Sequence, residues 1–199
     1  MHISEGVLSA PVLAAGWAVT AAGLAAGLRK TRAEDLPKTA LVSGALFLIS
    51  LVRVPLGPSS IHLTLLGLAG ALLGWSAVPA LFTALFLQGL LLQFGGLLSL
   101  GVNTAVMGSA ALAGYGVFRA LPRRFRLPAA FAAGFIAVAV GAALVTAALF
   151  FSSGNLALTA GLIFAANLPL AAAEGVITLF MVLFLARALP DHVFGQAGI

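Results

Sequence analysis

Charge is scarce in this sequence: only 8% of its 199 residues are charged, whereas 62% are hydrophobic. The mean hydropathy is +1.17. A soluble domain carries about a quarter of its residues as charges, so this composition cannot cover a water-exposed surface. We therefore predict one transmembrane domain over residues 1–199, which excludes a soluble globular protein.

Cysteine is absent, which excludes disulfides and thiolate metal sites. Residues 1–6 also lack the basic stretch of a signal peptide. Because His2 is too large for removal of the preceding methionine, we expect Met1 to keep a free amine. The glycine pattern of a phosphate-binding loop, a nucleophile elbow and a zinc-hydrolase helix are missing too. We therefore expect no enzyme and no resident cofactor.

Long apolar runs divide the chain into candidate spans, each near the ~20 residues that cross a bilayer. Helices are expected because backbone groups in hydrocarbon must be hydrogen-bonded internally. The predicted fold is an all-α integral membrane protein with a bundle of about seven helices over residues 7–189. The predicted spans are 7–28, 39–56, 60–75, 77–95, 102–121, 128–151 and 160–188.

The basic residues predict the orientation of this bundle. Nine of the ten lie in connections that seven spans would place on one side, and only Arg53 lies on the other. Basic loops stay cytoplasmic, so we expect an extracytoplasmic N-terminus and a cytoplasmic C-terminus. This topology explains the net charge of +5 without a nucleic-acid partner. Glycine and alanine pairs four residues apart fit either internal helix packing or a docking face for another membrane subunit: Gly23/Gly27, Ala40/Gly44 and Gly70/Gly74.

The N-terminal residues have the chemistry of a metal chelate. The Met1 amine and the His2 amide nitrogen can close a five-membered ring on an ion, and His2 Nδ1 adds a six-membered ring. His62, predicted on the same face of the membrane, could supply a fourth nitrogen. Such planar nitrogen sites suit Ni²⁺ or Cu²⁺, and imidazole also accepts cobalt and zinc. A frayed terminus is the alternative, and His192 is expected in a solvated tail.

Other polar residues could support this site. Ser60, Gln93 and Asn103 could orient the ligands, although helix capping would equally explain them. Glu5 fits a cap of the first helix better than a counter-charge for the metal. Glu174 is a candidate functional group because carboxylates are costly within a membrane.

Four stretches resemble the CbiM/NikM family, the substrate-binding membrane components of energy-coupling-factor (ECF) transporters for cobalt or nickel. The most specific is the N-terminal stretch Met1 to Ser9, and the resemblance covers nearly the whole chain. The other stretches are Val54-Pro55 through Ser60-Ile61-His62-Leu63, Gln88 through Gln93-Phe94-Gly95-Gly96-Leu97, and Leu100-Gly101-Val102-Asn103-Thr104 with Met107-Gly108.

The resemblance implies a seven-helix fold, with metal held by the Met1 amine, the His2 amide and ring, and His62. Residues 1–6 would then be a chelating segment, and Co²⁺ or Ni²⁺ would be the transported substrate. It also implies a membrane coupling (T) subunit, cytoplasmic ATPases and, in some systems, a small accessory membrane subunit in a prokaryotic cell membrane. A passive channel or secondary carrier and a membrane enzyme remain the alternatives.

Overall fold

The structure, a computed structural model, describes the backbone of residues 3–51, 53–56, 59–153 and 157–189. Side chains are described for these residues except at positions 53–56, 59–61, 123, 157–160 and 163. Met1, His2 and His192 therefore lie outside the described residues.

The described chain is a helical bundle with one small hairpin. Pro lies in the first turn of both α1 and α2, where an N–H would have no partner within the helix, so its absence costs nothing. Three short 3₁₀ turns, Ala33–Asp35, Gly74–Ser76 and Arg123–Phe125, precede α2, α4 and α6. The elements are α1 (Ala10–Lys30), α2 (Leu36–Ile49), β1 (Arg53–Leu56), β2 (Ser59–His62), α3 (Leu66–Leu73), α4 (Ala77–Leu92), α5 (Leu100–Ala120), α6 (Arg126–Ser152) and α7 (Ala157–Ala188).

The hairpin corrects two predicted spans. The span 39–56 is helical only to Ile49, and the first residues of span 60–75 form a strand. The strands β1 and β2 are antiparallel, with Arg53 opposite His62. Pro55 in β1 has no N–H for a helical hydrogen bond, and the β-branched Val54 beside it favours extended backbone. The expectation of helix alone was therefore wrong between α2 and α3, whereas the other predicted spans coincide with helices apart from a few terminal residues.

Four helical stretches of the described chain are long and apolar enough to cross a bilayer: Ala10–Lys30, Leu66–Leu92, Arg126–Ser152 and Phe164–Ala188. Large apolar side chains also remain exposed on helix surfaces, among them Leu41 (77%), Phe151 (75%) and Phe180 (62%). Exposed apolar side chains of this size are expected to contact lipid. The helical membrane architecture is thus confirmed, while the count of seven crossings and the orientation of the termini stay predictions.

Close helix packing uses glycines, because a bilayer gives little hydrophobic drive between helices. A Cβ on Gly70 would come within 2.1 Å of the Ala111 carbonyl oxygen, and one on Gly27 within 2.9 Å of the Trp75 carbonyl oxygen. These two glycines therefore serve internal packing. A Cβ on Gly44 would meet nothing within 4 Å.

The two ends of the bundle carry different contacts. At one end Lys30 Nζ lies 3.8 Å from the centroid of the Trp75 ring, and Thr31 Oγ1 is 2.8 Å from Ser76 Oγ. At the other end the Ser9 amide donates to Ser152 Oγ at 3.2 Å. The N-terminal segment therefore lies at the end of the bundle where α6 finishes, away from the basic end of α1.

Candidate metal site

The N-terminal segment is held by Asn103 on α5. Asn103 Oδ1 accepts a hydrogen bond from the Ile3 amide at 2.9 Å, and Asn103 Nδ2 donates to the Ile3 carbonyl at 3.0 Å. Both residues are buried, with 3% and 5% exposed, respectively. The Ile3 side chain packs with Val102 and Val145 in an apolar cluster. The residue that follows His2 is therefore fixed by its backbone and by its side chain.

Asn103 is itself oriented by the start of α5. Its Nδ2 also lies 3.3 Å from Ser99 Oγ, one helical turn earlier. Ser99 Oγ donates to the Gly95 carbonyl at 2.5 Å, and Ser99 is completely buried. These bonds support the amide orientation in which Oδ1 faces the Ile3 N–H.

Glu5 also contacts the segment before α5. Its Oε1 accepts a hydrogen bond from the Leu98 amide at 2.8 Å, and a Cβ on Gly96 would overlap the Glu5 side chain. The first turn of α1 contains no acidic residue, and its N-cap position is Ser9. The expectation that Glu5 caps the first helix was therefore wrong, because the carboxylate fastens residues 3–6 to the start of α5 instead.

His62, the last residue of β2, is buried with 6% of its surface exposed. Its Nδ1 lies 3.0 Å from the Leu63 carbonyl oxygen. A carbonyl oxygen only accepts, so Nδ1 carries the proton when this bond forms and Nε2 then bears the lone pair. Metal-binding histidines commonly use one nitrogen for the ion and the other for such a bond.

A small cavity adjoins His62 between α2, α4 and α5. Its volume is about 10 Å³, close to the space that one water molecule occupies. Gln88, 3% exposed, lines it, and within the described chain its Oε1 has no hydrogen-bond partner. The lining residues are Leu46, Ser50, His62, Leu63, Thr64, Leu81, Ala84, Leu85, Gln88 and Met107.

Helix α5 connects the two candidate parts of the site. Asn103 hydrogen-bonds to Ile3, and Met107 lines the cavity beside His62. Residues four apart lie on the same helix face, about 6 Å apart along the axis. Asn103, which bonds to Ile3, and Met107, which lines the cavity beside His62, therefore lie one turn apart on the same face of α5.

A buried carboxylate contacts the turn that follows His62. Glu174 on α7 is fully buried, and its carboxylate accepts hydrogen bonds from the amides of Thr64 and Leu65 and from Thr64 Oγ1. No ion pair with Lys or Arg satisfies this carboxylate among the described residues. The bonds attach α7 to the turn immediately after His62.

The three predicted supporting residues lie in different surroundings. Asn103 holds the N-terminal segment, as a supporting residue would. Ser60 is described only by its backbone, opposite Pro55 in the hairpin. Gln93 is exposed at the end of α4, with a left-handed φ of 56°, and does not line the cavity.

Sequence reasoning passed over Gln88 in favour of Gln93. Gln88 is the only side-chain amide within α4, whose other residues are almost all apolar. A polar group in such a helix marks a functional candidate, so the signal was present in the sequence. Among the described residues no three His, Cys, Asp or Glu side chains form a cluster. Metal ligands near His62 would therefore have to include groups of other kinds or the first two residues.

The family model for the cobalt uptake substrate-specific transmembrane region, CbiM, matches residues 2–192. The chain belongs to the CbiM family. It is 36% identical to a Haemophilus influenzae protein named for metal transport, over 96% of each chain. It is also 35% identical over 117 residues to the fused nickel transport protein NikMN of Rhodobacter capsulatus, covering 54% of this chain and 34% of that protein.

The fold agrees with the CbiM assignment. A crystal structure of a truncated transition metal transporter superposes with a TM-score of 0.79 at 27% identity, covering 94% of this chain and 99% of that one. The resemblance noted in the sequence is thus confirmed. Together with the apolar helices, it identifies a multi-pass prokaryotic membrane protein of the metal-transport class.

Proposed function

We propose that this CbiM-family chain is the substrate-capture membrane subunit of an ATP-driven, ECF-type importer for Co²⁺ or Ni²⁺. The observation that carries the proposal concerns helix α5. On that helix Asn103 hydrogen-bonds to Ile3, and Met107, one helical turn later, lines the cavity beside His62. This arrangement supports, for the described residues that follow His2, a position of the N-terminal segment on the same helix as the cavity beside His62.

The proposed ligands are the Met1 amine, the amide and ring nitrogens of His2, and His62. Two features support them. The two-sided bond to Ile3 restrains the chain directly after His2, and the bond from His62 Nδ1 to the Leu63 carbonyl favours Nε2 as the atom that binds the ion. Four nitrogens suit Ni²⁺ by geometry, and imidazole also binds Co²⁺.

In this proposal the metal is cargo, and the chain captures it without catalysing a reaction. Binding displaces protons from the nitrogens, so metal affinity falls as the pH is lowered. Energy would come from cytoplasmic ATPases through a membrane coupling subunit, with a small accessory membrane subunit in some systems. The fused name of the Rhodobacter capsulatus relative supports the existence of partner subunits.

The chelate is tested by adding one residue before Met1 and measuring Ni²⁺ and Co²⁺ affinity by calorimetry. The extension moves the free amine away from the His2 ring, so affinity should fall by at least ~10–100-fold, the scale seen even for weaker supporting interactions. A chain with the same residue added after Ile199 is the matched control, and His62→Ala tests the fourth ligand. An unchanged affinity in the extended chain refutes the terminal chelate.

The energy source is tested separately, by metal uptake into proteoliposomes. Uptake should require ATP, the coupling subunit and the ATPases together with this chain. Uptake by this chain alone, down a metal gradient, would instead support a passive channel or secondary carrier.

A further inference from the structure

The turn after His62 has a backbone conformation that needs support. Leu65 has a left-handed φ of 51° although it is not glycine, and α3 begins at the next residue. Such a conformation is unfavourable for a residue with a side chain unless surrounding bonds stabilise it. The position of His62 relative to α3 depends on this turn, since only Leu63 to Leu65 separate them.

Glu174 supplies that support from 110 residues away in the sequence. Its Oε1 accepts from the Thr64 amide and from Thr64 Oγ1, the latter at 2.9 Å. The Leu65 amide is shared between the two oxygens, at 2.9 Å from Oε2 and 3.1 Å from Oε1. The two backbone amides can only donate, so they require acceptor oxygens at position 174. The acid also lies at the N-terminus of α3, where the helix dipole favours negative charge.

We propose that Glu174 is a positioning residue for the metal site: it holds the Thr64–Leu65 turn and thereby orients the His62 imidazole. The inference rests on the proposed function for His62 as a ligand. It also gives α7 a direct connection to that site, so a displacement of α7 would change the orientation of His62.

The first test needs no metal. In the purified full chain, Glu174→Gln replaces one acceptor oxygen with an NH₂ group that faces the Leu65 amide. Hydrogen–deuterium exchange at the Thr64 and Leu65 amides should therefore accelerate. The matched control is Thr178→Val, one turn further along α7, which removes a buried hydroxyl that makes no hydrogen bond within the described chain. Equal exchange in Glu174→Gln and wild type overturns the proposal.

The second test measures Ni²⁺ affinity with a double-mutant cycle. Glu174→Gln should weaken binding by roughly 10–100-fold, as expected for loss of a group that orients a metal ligand. In a His62→Ala background the same substitution should cost nothing further, because its effect passes through His62. A full additional loss in that background would mean that Glu174 supports the fold generally, and it overturns the positioning role.

The outcomes separate the two proposals. A wild-type chain that binds no Ni²⁺ refutes the proposed function and the positioning role with it. A wild-type chain that binds Ni²⁺ no better than Glu174→Gln refutes the positioning role alone. If Glu174→Gln does not fold, Thr64→Val removes only the Oγ1 bond, and a smaller loss of affinity in the same direction is then expected. Wild-type affinity in folded Thr64→Val would overturn the proposal.

Discussion

Two segments carry proposed metal ligands, and the backbone of each makes more than one hydrogen bond with a buried side chain from a different helix. Asn103 on α5 pairs with both the N–H and the carbonyl of Ile3, whereas Glu174 on α7 pairs only with donors of the Thr64–Leu65 turn. An amide both donates and accepts, so it fits an extended segment. A carboxylate only accepts, so it fits a turn that presents consecutive N–H groups.

We call these two contacts, Asn103 with Ile3 and Glu174 with the Thr64–Leu65 turn, the two grips. Because their hydrogen-bonding groups differ, an amide and a carboxylate cannot replace one another. A carboxylate at position 103 would meet the Ile3 carbonyl, and an amide at position 174 would meet the Leu65 N–H. Conservative isosteric substitutions should therefore be harmful at both positions, and changes at neighbouring buried residues should not.

The largest effect is expected from Asn103→Asp. The new acceptor oxygen would lie about where Nδ2 now donates to the Ile3 carbonyl, at 3.0 Å, so attraction becomes repulsion. The chelating segment would be released, and Ni²⁺ affinity measured by calorimetry should fall by ~100-fold, the upper end of the range for supporting groups.

The control for Asn103→Asp is Thr104→Val, at the next residue of α5. Thr104 is fully buried, and its hydroxyl has no hydrogen-bond partner within the described chain. The control should retain wild-type affinity. If both variants lose affinity equally, α5 matters for packing rather than for holding the N-terminal segment.

A smaller effect is expected at Glu5. Glu5→Ala loses one exposed hydrogen bond to the Leu98 amide, and a typical hydrogen bond is worth about 0.5–1.5 kcal/mol. Metal affinity should therefore fall by roughly 2–10-fold. Glu5→Gln keeps an acceptor oxygen and should remain close to wild type at high ionic strength. A loss in Glu5→Gln as large as in Glu5→Ala would show that the charge, not the bond, is important.

The smallest effect on metal affinity is expected at Gln88, whose Oε1 makes no hydrogen bond within the described chain. Its buried Oε1 lacks a partner within the described chain, and an unsatisfied buried polar group costs about 1–3 kcal/mol. Gln88→Met has a similar shape without that cost, so thermal unfolding of the metal-free chain should shift to higher temperature. A large loss of Ni²⁺ affinity would instead identify Gln88 as a ligand.

Local patterns in the sequence predicted the helices well, because helix formation depends mainly on neighbouring residues. The hairpin was missed because its strands directly adjoin the apolar runs of α2 and α3, and periodicity cannot separate a short strand from the end of a helix. The prolines at 55 and 58 were the available sign.

The grips could not be predicted, because they join residues far apart in the chain. Asn103 and Ile3 are 100 residues apart, and Glu174 and Thr64 are 110 apart. Glu174 bonds to two backbone amides, and because every residue except proline has such an amide, the sequence does not indicate which ones it will contact. Gln88 did carry a signal, as a single side-chain amide in an apolar helix, but its position beside the His62 cavity is set by packing.

The central claim is that the two grips bring the first two residues and His62 around one ion. An anomalous difference map of nickel-loaded crystals, collected at the nickel edge, tests this most directly. We predict a single peak within bonding distance of the Met1 amine, the His2 nitrogens and His62 Nε2. A peak that lacks either His62 or the first two residues among its ligands would contradict the account.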